Sequence, residues 1–553
     1  MNKETENITK TNKRPASFNQ KDAGSVKFNT QKINAQKAIQ APKQAVSKIV
    51  FSRALILLLM IGLQIAAFPI INVYLARYVP YAMEVMTVLG TICVIIVINK
   101  DEPAEFKLTW CVILCILPIL GVLLYIFVQS NWGMIGLKHK VSKGIKATQG
   151  KIFTSKGTKK ALEEESWEIK RFAHYMDNYC GFPIYHNTKT TYFPIGEEYI
   201  ADLVEELKKA QRYIFMEYFI INRGEVWDSV LEVLKEKAAA GVEVRVMYDG
   251  LCSLSNLPYS YPKEMAKFGI KAKMFAPIVP FFSTNQNNRD HRKIVVIDGK
   301  VAYTGGVNLA DEYANLIDRF GHWKDGGIKL EGRAVLSFLM MFTQMWNVYG
   351  KEDLDYDKYL LEHVDRPNKE HDGFVIPYAD TPTLQKEIGK TVYSDMFAQS
   401  NHYIHSMTPY FVIDREFLTI MKYAAHRGVE VKLIVPHIPD KKIPFWIART
   451  FYPQMISAGI KIYEYTPGFV HSKVMVSDGI VASCGSINVD YRSFYHHFEC
   501  GVYLYKSSAV MEIEEDFQET LTKCQEVTID YYKSLPAYQR AIGHIFKLLA
   551  PMI

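Results

Sequence analysis

The sequence predicts an α/β protein made of two copies of one module, with mixed, mostly parallel sheets flanked by helices, behind an N-terminal transmembrane helical region. Three observations predict it. The stretch HRKIVVIDGKVAYTGGVN (291–308) returns 180 residues later as HSKVMVSDGIVASCGSIN (471–488), with nine of eighteen positions identical. Each copy follows the same succession of apolar strand, amphipathic helix and strand of alternating apolar residues. Two uncharged apolar runs, of 23 and 21 residues, precede both copies, and about 20 helical residues suffice to cross a bilayer.

The elements follow in order. Residues 1–53 carry 11 Lys/Arg against 3 Asp/Glu among many Asn, Gln, Thr and Ser, the composition of a disordered basic arm. Residues 54–128 hold three apolar segments, 54–76, 81–98 and 108–128, the middle one with only 14 residues clear of charge. Residues 129–165 read as a basic linker, with eight Lys and no acid up to residue 160. The positive-inside rule places both basic flanks in the cytoplasm. That demands an even number of crossings, so either the middle segment re-enters or pairs with a neighbour, or one flank lies outside. The expectation is a multi-pass cell-membrane protein with a cytoplasmic catalytic module.

The first module spans 166–375 and the second 376–553. In the first, AQRYIFMEYFII (210–221) and AAAGVEVRVMYDG (238–250) lead to the repeated stretch; in the second, SNHYIHSMTPYFVI (400–413) and AAHRGVEVKLIVPH (424–437) do. Strands alternating with helices imply βαβ units. Gly241 and Gly428 stand between helix and strand, where a C′ glycine is expected.

Charge and cysteine content exclude several classes. The chain is at +7 overall, yet residues 161–553 are at −8. That is the wrong sign for a domain that tracks a nucleic-acid backbone. Eight scattered cysteines with no CxxC pair argue against a disulfide framework and a structural zinc site. GIKATQGKI (144–152) lacks the spacing of a phosphate loop, and no G-x-S-x-G elbow is present. His496, His497 and Cys500 fit no standard metal spacing.

The repeated stretch carries the chemistry. His291 and Lys293 are two apart and project to one side of a strand, as do His471 and Lys473. Asp298 and Asp478 stand at an odd offset, which gives them a structural role at the strand end. The small-residue loops that follow end in Asn308 and Asn488, suited to approach an anion. One site drawn from both copies holds two His, two Lys and two Asn. That set suits a phosphate and not a divalent cation, so no metal and no cofactor is expected. One imidazole attacks phosphorus and the other protonates the leaving oxygen. Each needs an orienting partner on its other nitrogen, and Asp325 and Glu499 are the candidates. A duplication kept for folding alone would preserve apolar periodicity and glycines, with no reason to keep His, Lys and Asn twice.

These residues resemble the paired HKD motifs of the phospholipase D superfamily, His291-Lys293-Asp298 and His471-Lys473-Asp478. Within it, NNRDHRKIVVIDGKVAYTGGVNLADEY, VDYRSFYHHFE, NKDEPAEFK and the terminal KLLAPMI resemble bacterial cardiolipin synthases over about residues 50–553. The resemblance implies duplicated phospholipase D-like domains whose catalytic motifs are those six residues. It implies His291 as nucleophile and His471 as general acid, then base. Lys293, Lys473, Asn308 and Asn488 would hold phosphate. It implies a membrane phosphatidyltransferase that turns two phosphatidylglycerol molecules into cardiolipin and glycerol through a phosphatidyl-histidine intermediate. The alternative is a phospholipase D or phosphatidylserine synthase-like enzyme with water or another alcohol as acceptor. The expected partners are anionic phospholipid and membrane, not nucleic acid. Gly326–Gly327 departs from the Thr-His usual in the family.

Overall fold

A computed structural model describes residues 81–552, apart from 130–131, 253–255, 278–287, 351, 361–371 and 385. The basic arm 1–53 and the apolar segment 54–76 lie outside the described residues.

The first lobe has strands Thr188–Phe193 (β1), Tyr213–Tyr218 (β2), Glu243–Asp249 (β3), Lys271–Phe275 (β4), Lys293–Ile297 (β5), Val301–Gly305 (β6), His322–Lys324 (β7) and Gly327–Gly332 (β8). Seven form one sheet in the order β1-β8-β6-β5-β2-β3-β4. The second lobe has Phe374–Asp380 (β9), Tyr403–Met407 (β10), Phe411–Val412 (β11), Glu430–Pro436 (β12), Lys461–Tyr465 (β13), Gly468–Val470 (β14), Val474–Ser477 (β15), Val481–Gly485 (β16), Val489–Asp490 (β17), Glu499–Tyr505 (β18) and Cys524–Glu526 (β19). Its sheet runs β19-β13-β12-β10-β15-β16-β18-β9. With β19 set aside, the two orders correspond strand for strand.

The sheets are mixed, and the expectation of mostly parallel pairing is corrected. Within the two large sheets, β2-β3-β4 and likewise β10-β12-β13 run parallel. The strands β5, β6, β8 and β1 pair antiparallel, as do β15, β16, β18 and β9. The reason is the Asp-Gly dipeptide. Asp298 and Gly299 sit at φ 51° and 64°, and Asp478 and Gly479 at 55° and 65°. Two successive positive φ values make the tight hairpin turn that sends β5 straight back as β6.

The central strands β2, β5, β10 and β15 are buried along nearly their whole length, which accounts for their continuous apolar runs. The helix Val335–Trp346, buried at every position but Gln344, lies among side chains of both lobes, including Phe215, Val296 and Ile376. Strand exchange joins the lobes further. β7 of the first pairs in parallel with β14 of the second, and Asp290 bridges Phe498. The boundary expected at 375/376 falls inside β9. The stretch expected as a basic linker carries the helices Trp132–Thr148 and Lys156–Glu163.

The two apolar segments within the described residues, 81–98 and 108–128, do not each form one spanning helix. They form helices α1 (Ala82–Ile98), α2 (Ala104–Ile116) and α3 (Pro118–Gln129). The run 108–128 is therefore not one span. Leu117 leaves helical geometry at φ −127°, ψ 63°, as residues before proline tend to. A Cβ on Gly121 would lie 2.8 Å from the carbonyl oxygen of Ile113, so α3 folds sharply against α2. Among the described residues no helix is long and apolar enough to cross a membrane; α1, with 17 residues, reaches about 26 Å at 1.5 Å per residue. These helices bury Cys93, Val97, Trp110, Leu114, Val122 and Tyr125 among themselves. α1 leaves Val85, Val88, Ile92 and Ile95 exposed.

Candidate active site

His291 and His471 sit in extended backbone just ahead of β5 and β15, and each is tied to the opposite lobe. The His291 amide donates to the Phe498 carbonyl at 2.9 Å, and the His471 amide to the Lys324 carbonyl at 2.6 Å. The side chains cross over in the same way. His291 Nδ1 lies 2.9 and 3.0 Å from the two Glu499 oxygens. His471 Nδ1 lies 2.5 Å from Asp325 Oδ2. Both acids are fully buried. Each acid therefore holds the imidazole of the other lobe through Nδ1 and leaves its Nε2 clear of that contact.

The two acids occupy equivalent places. HWKDGG (322–327) and HHFECG (496–501) align with Asp325 opposite Glu499. Trp323 packs its ring 5.4 Å from His471, and His497, at the matching position, 5.3 Å from His291. Phe219 and Tyr313 close the other sides, at 4.8 Å from His291 and 5.4 Å from His471. Close backbone and side-chain approach holds both glycines of this stretch to that size. A Cβ on Gly326 would meet the Phe193 carbonyl oxygen at 2.2 Å, and one on Gly327 the Thr304 carbonyl oxygen at 2.6 Å.

The remaining expected residues divide. Lys293 and Lys473 are buried, and each ammonium donates to the carbonyl of its own histidine, Lys293 at 2.5 Å. Lys473 Nζ also lies 2.8 Å from His471 Nδ1. One ring nitrogen cannot both donate to Asp325 and accept from Lys473, and the shorter carboxylate contact takes the Nδ1 proton. Asn308 has its oxygen bonded to the Ile220 amide at 2.9 Å and donates to Tyr313 Oη at 2.8 Å. Asn488 differs, since its buried Oδ1 lacks a partner among the described residues. The aspartates of the two motifs stand apart from this network. Asp298 accepts the amides of Gln211, Arg212 and Tyr213 at 2.8–2.9 Å. Asp478 accepts those of Asn401, His402 and Tyr403 at 2.7–2.9 Å.

The loop after each hairpin is shaped by the acid it faces. A Cβ on Gly306 would come 2.1 Å from Asp325 Oδ1, so only glycine fits. The second copy has Ser486 there instead, and its hydroxyl donates to Glu499. Ser493 donates to the other Glu499 oxygen at 2.8 Å.

Burial sets the protonation states. It drives both histidines well below the usual imidazole pKa, and the lysine charges of both lobes add to the effect. Each histidine feels the lysine of the opposite lobe, and His291 also feels His471, so the four groups share one electrostatic site. Burial lowers Lys293 to about 8 and Lys473 to about 7. It raises Asp325 to about 7 against the pull of Lys473. Without an anion the site is thus close to neutral; a bound phosphodiester would favour the charged lysines and imidazolium.

His497, set aside in the sequence as a metal ligand and given no other role there, stands beside His291. Its ring is buried, with Nδ1 3.6 Å from Glu499 Oε1, and burial lowers it to about 3. His291, His497 and Glu499 each offer a donor atom within 4.8 Å of the others. The ammonium of Lys293 beside them opposes a divalent cation there. The signal for His497 was its alignment with Trp323, in a stretch where only the outer His, an acid and a Gly match.

Comparisons with known proteins agree with this architecture. A family model described as "Cardiolipin synthase, PLD-like domain" matches residues 203–318 and 393–521, and one described as "Phospholipase_D-nuclease N-terminal" matches 88–129. An uncharacterized protein of Streptococcus mutans is 44% identical over 83% of this chain and 99% of its own. A cardiolipin synthase of Alkalihalophilus pseudofirmus is 31% identical over 89% of this chain and 98% of its own. One of Geobacillus thermodenitrificans is 33% identical over 84% and 91%. The crystal structure of phosphatidylserine synthase from Haemophilus influenzae superposes with a TM-score of 0.52 at 14% identity, over 69% of this chain and 99% of that one.

Proposed function

Because the chain belongs to the cardiolipin synthase family of phospholipase D-like proteins, we propose that it converts two phosphatidylglycerol molecules into cardiolipin and glycerol. One observation supports the reading above others: two buried imidazoles, each held through Nδ1 by an acid of the opposite lobe, stand among two buried lysines. His291 Nε2 attacks phosphorus, the P–N bond forms, and the P–O bond to glycerol breaks. Phosphate binding favours the imidazolium form of His471, with Nδ1–H held by Asp325, and His471 gives its Nε2 proton to the departing glycerol oxygen. The second phosphatidylglycerol then enters. His471 takes the proton of its headgroup hydroxyl, that oxygen attacks phosphorus, and the P–N bond breaks to release cardiolipin. Lys293, Lys473 and Asn488 face the phosphate oxygens, with Asn308 held by Tyr313 as a more rigid counterpart. Asp298 and Asp478 hold the turns that aim the strands.

The apolar helices α1–α3, with their exposed aliphatic face, suit attachment to the cell membrane, and the basic flanks suit a cytoplasmic catalytic module. The test supplies the purified full chain with phosphatidylglycerol alone and analyses the lipids. Cardiolipin and glycerol should accumulate one for one. Phosphatidic acid alone would overturn the proposal in favour of hydrolysis.

A further inference from the structure

A cavity of about 340 Å³ lies away from the catalytic histidines, where α2, the helix Arg415–His426 and the C-terminal segment meet. Its charged lining is Arg415, Lys422 and Lys547 against a single acid, Glu105. Glu105 is already engaged, since its Oε1 accepts the Arg415 amide at 2.8 Å. Lys547 is half-buried, with its ammonium 3.7 Å above the Phe451 ring. Apolar side chains, Phe451 and Leu418 among them, complete the wall. A surplus of two positive charges beside apolar surface suits a phosphodiester joined to a hydrocarbon body.

The surroundings favour a lipid over a soluble phosphate. α2 docks on the C-terminus through Thr109 Oγ1, which donates to the Leu548 carbonyl at 2.6 Å. The neighbouring C-terminal helix Ala537–Lys547 exposes Tyr538 (59%) and Ile545 (66%). The cavity thus lies beside the apolar helices.

We infer that this cavity binds the phosphodiester headgroup of an anionic phospholipid that is held there and not turned over. The inference rests on the reading of α1–α3 as membrane-attached, and it does not need catalysis. No member of the lining belongs to the histidine site, so occupancy and turnover separate.

The test uses the full chain carrying His471→Ala, in nanodiscs of phosphatidylcholine with or without phosphatidylglycerol. Acetylation of Lys422 and Lys547 is read by mass spectrometry. Phosphatidylglycerol should slow acetylation of both by roughly threefold, as two-thirds occupancy requires, and Arg415→Gln should remove that protection. If Arg415→Gln fails to fold, Lys422→Gln, read at Lys547, takes its place. Equal acetylation in both nanodiscs would overturn the inference. So would equal protection by soluble glycerol phosphate in phosphatidylcholine nanodiscs, which would assign the cavity to a free phosphate. Cardiolipin formation by the His471→Ala chain would sink the catalytic proposal and leave this one standing.

Discussion

At His471, the contact with Asp325 decides which ring nitrogen reacts. An asparagine there keeps the volume but replaces a charged acceptor with a neutral amide, which can hold the wrong tautomer or fail to support the imidazolium. Asp325→Asn should lower kcat by about 10²- to 10⁴-fold, the range of a lost general acid–base, with KM for phosphatidylglycerol nearly unchanged. Glu499→Gln should act in the same direction. Steady-state kinetics in mixed micelles measures both. The pH dependence follows from the lysines. Burial lowers Lys473 to about 7 and Lys293 to about 8. Only the protonated ammonium attracts a phosphodiester, so kcat/KM should fall as pH rises through 7 to 8. On the acid side, both histidines are held well below 6.5. The nucleophile therefore stays unprotonated at pH 6, and the acid limb belongs to Asp325, which burial raises to about 7: its protonation removes the charge that supports the His471 imidazolium, so kcat should decline as pH falls below 7. A profile that rises between pH 7 and 9 would contradict this assignment.

At the scale of elements, the Asp-Gly hairpin turns carry the strands that deliver His and Lys. Asp298 tolerates the left-handed region and accepts three amides that would otherwise be unpaired. Asp298→Ala should cost about 1–3 kcal/mol, the penalty of unsatisfied buried donors, read as a lower denaturant midpoint. Asp298→Asn should recover part of it, because asparagine keeps one acceptor and also tolerates positive φ. These turns were legible: DG between two apolar runs is a hairpin signal, and reading the repeat as βαβ units overrode it. Pro118 in the run 108–128 was a visible break of the same kind, hidden by the count of uncharged residues. The His-Lys pairs were legible because their offsets recur in both copies. Asp325 and Glu499 could be picked as acids ahead of apolar strands, but not the lobe each serves. That crossing arises when β7 pairs with β14 and Asp290 with Phe498, contacts between residues about 140 to 210 apart. Asn308 and Asn488 read alike in sequence; the Ile220 amide, 88 residues away, and the nearby Tyr313 hydroxyl set them apart.

For the whole molecule, the question is whether one chain supplies the complete site or two chains share it. A site split across two lobes could be assembled by exchange between copies, because each lobe supplies one histidine and the acid for the other. The lobe interface argues against exchange. The His291 and His471 amides bond across it, β7 and β14 pair across it, and the buried helix Val335–Trp346 packs on strands of both sheets. Separating the lobes would expose that helix and strand residues such as Phe215, Val296 and Ile376. At about 25 cal/mol per Å² of apolar surface, even 400 Å² of exposure costs on the order of 10 kcal/mol, comparable to the stability of a whole domain. Full-length His291→Ala and His471→Ala chains should each be inactive, and mixing them should restore nothing. Cardiolipin formation is the measurement, with the two variants incubated together in one micelle population. Recovery toward a quarter or more of wild-type activity would mean that lobes trade partners, and that the catalytic unit is a pair of chains.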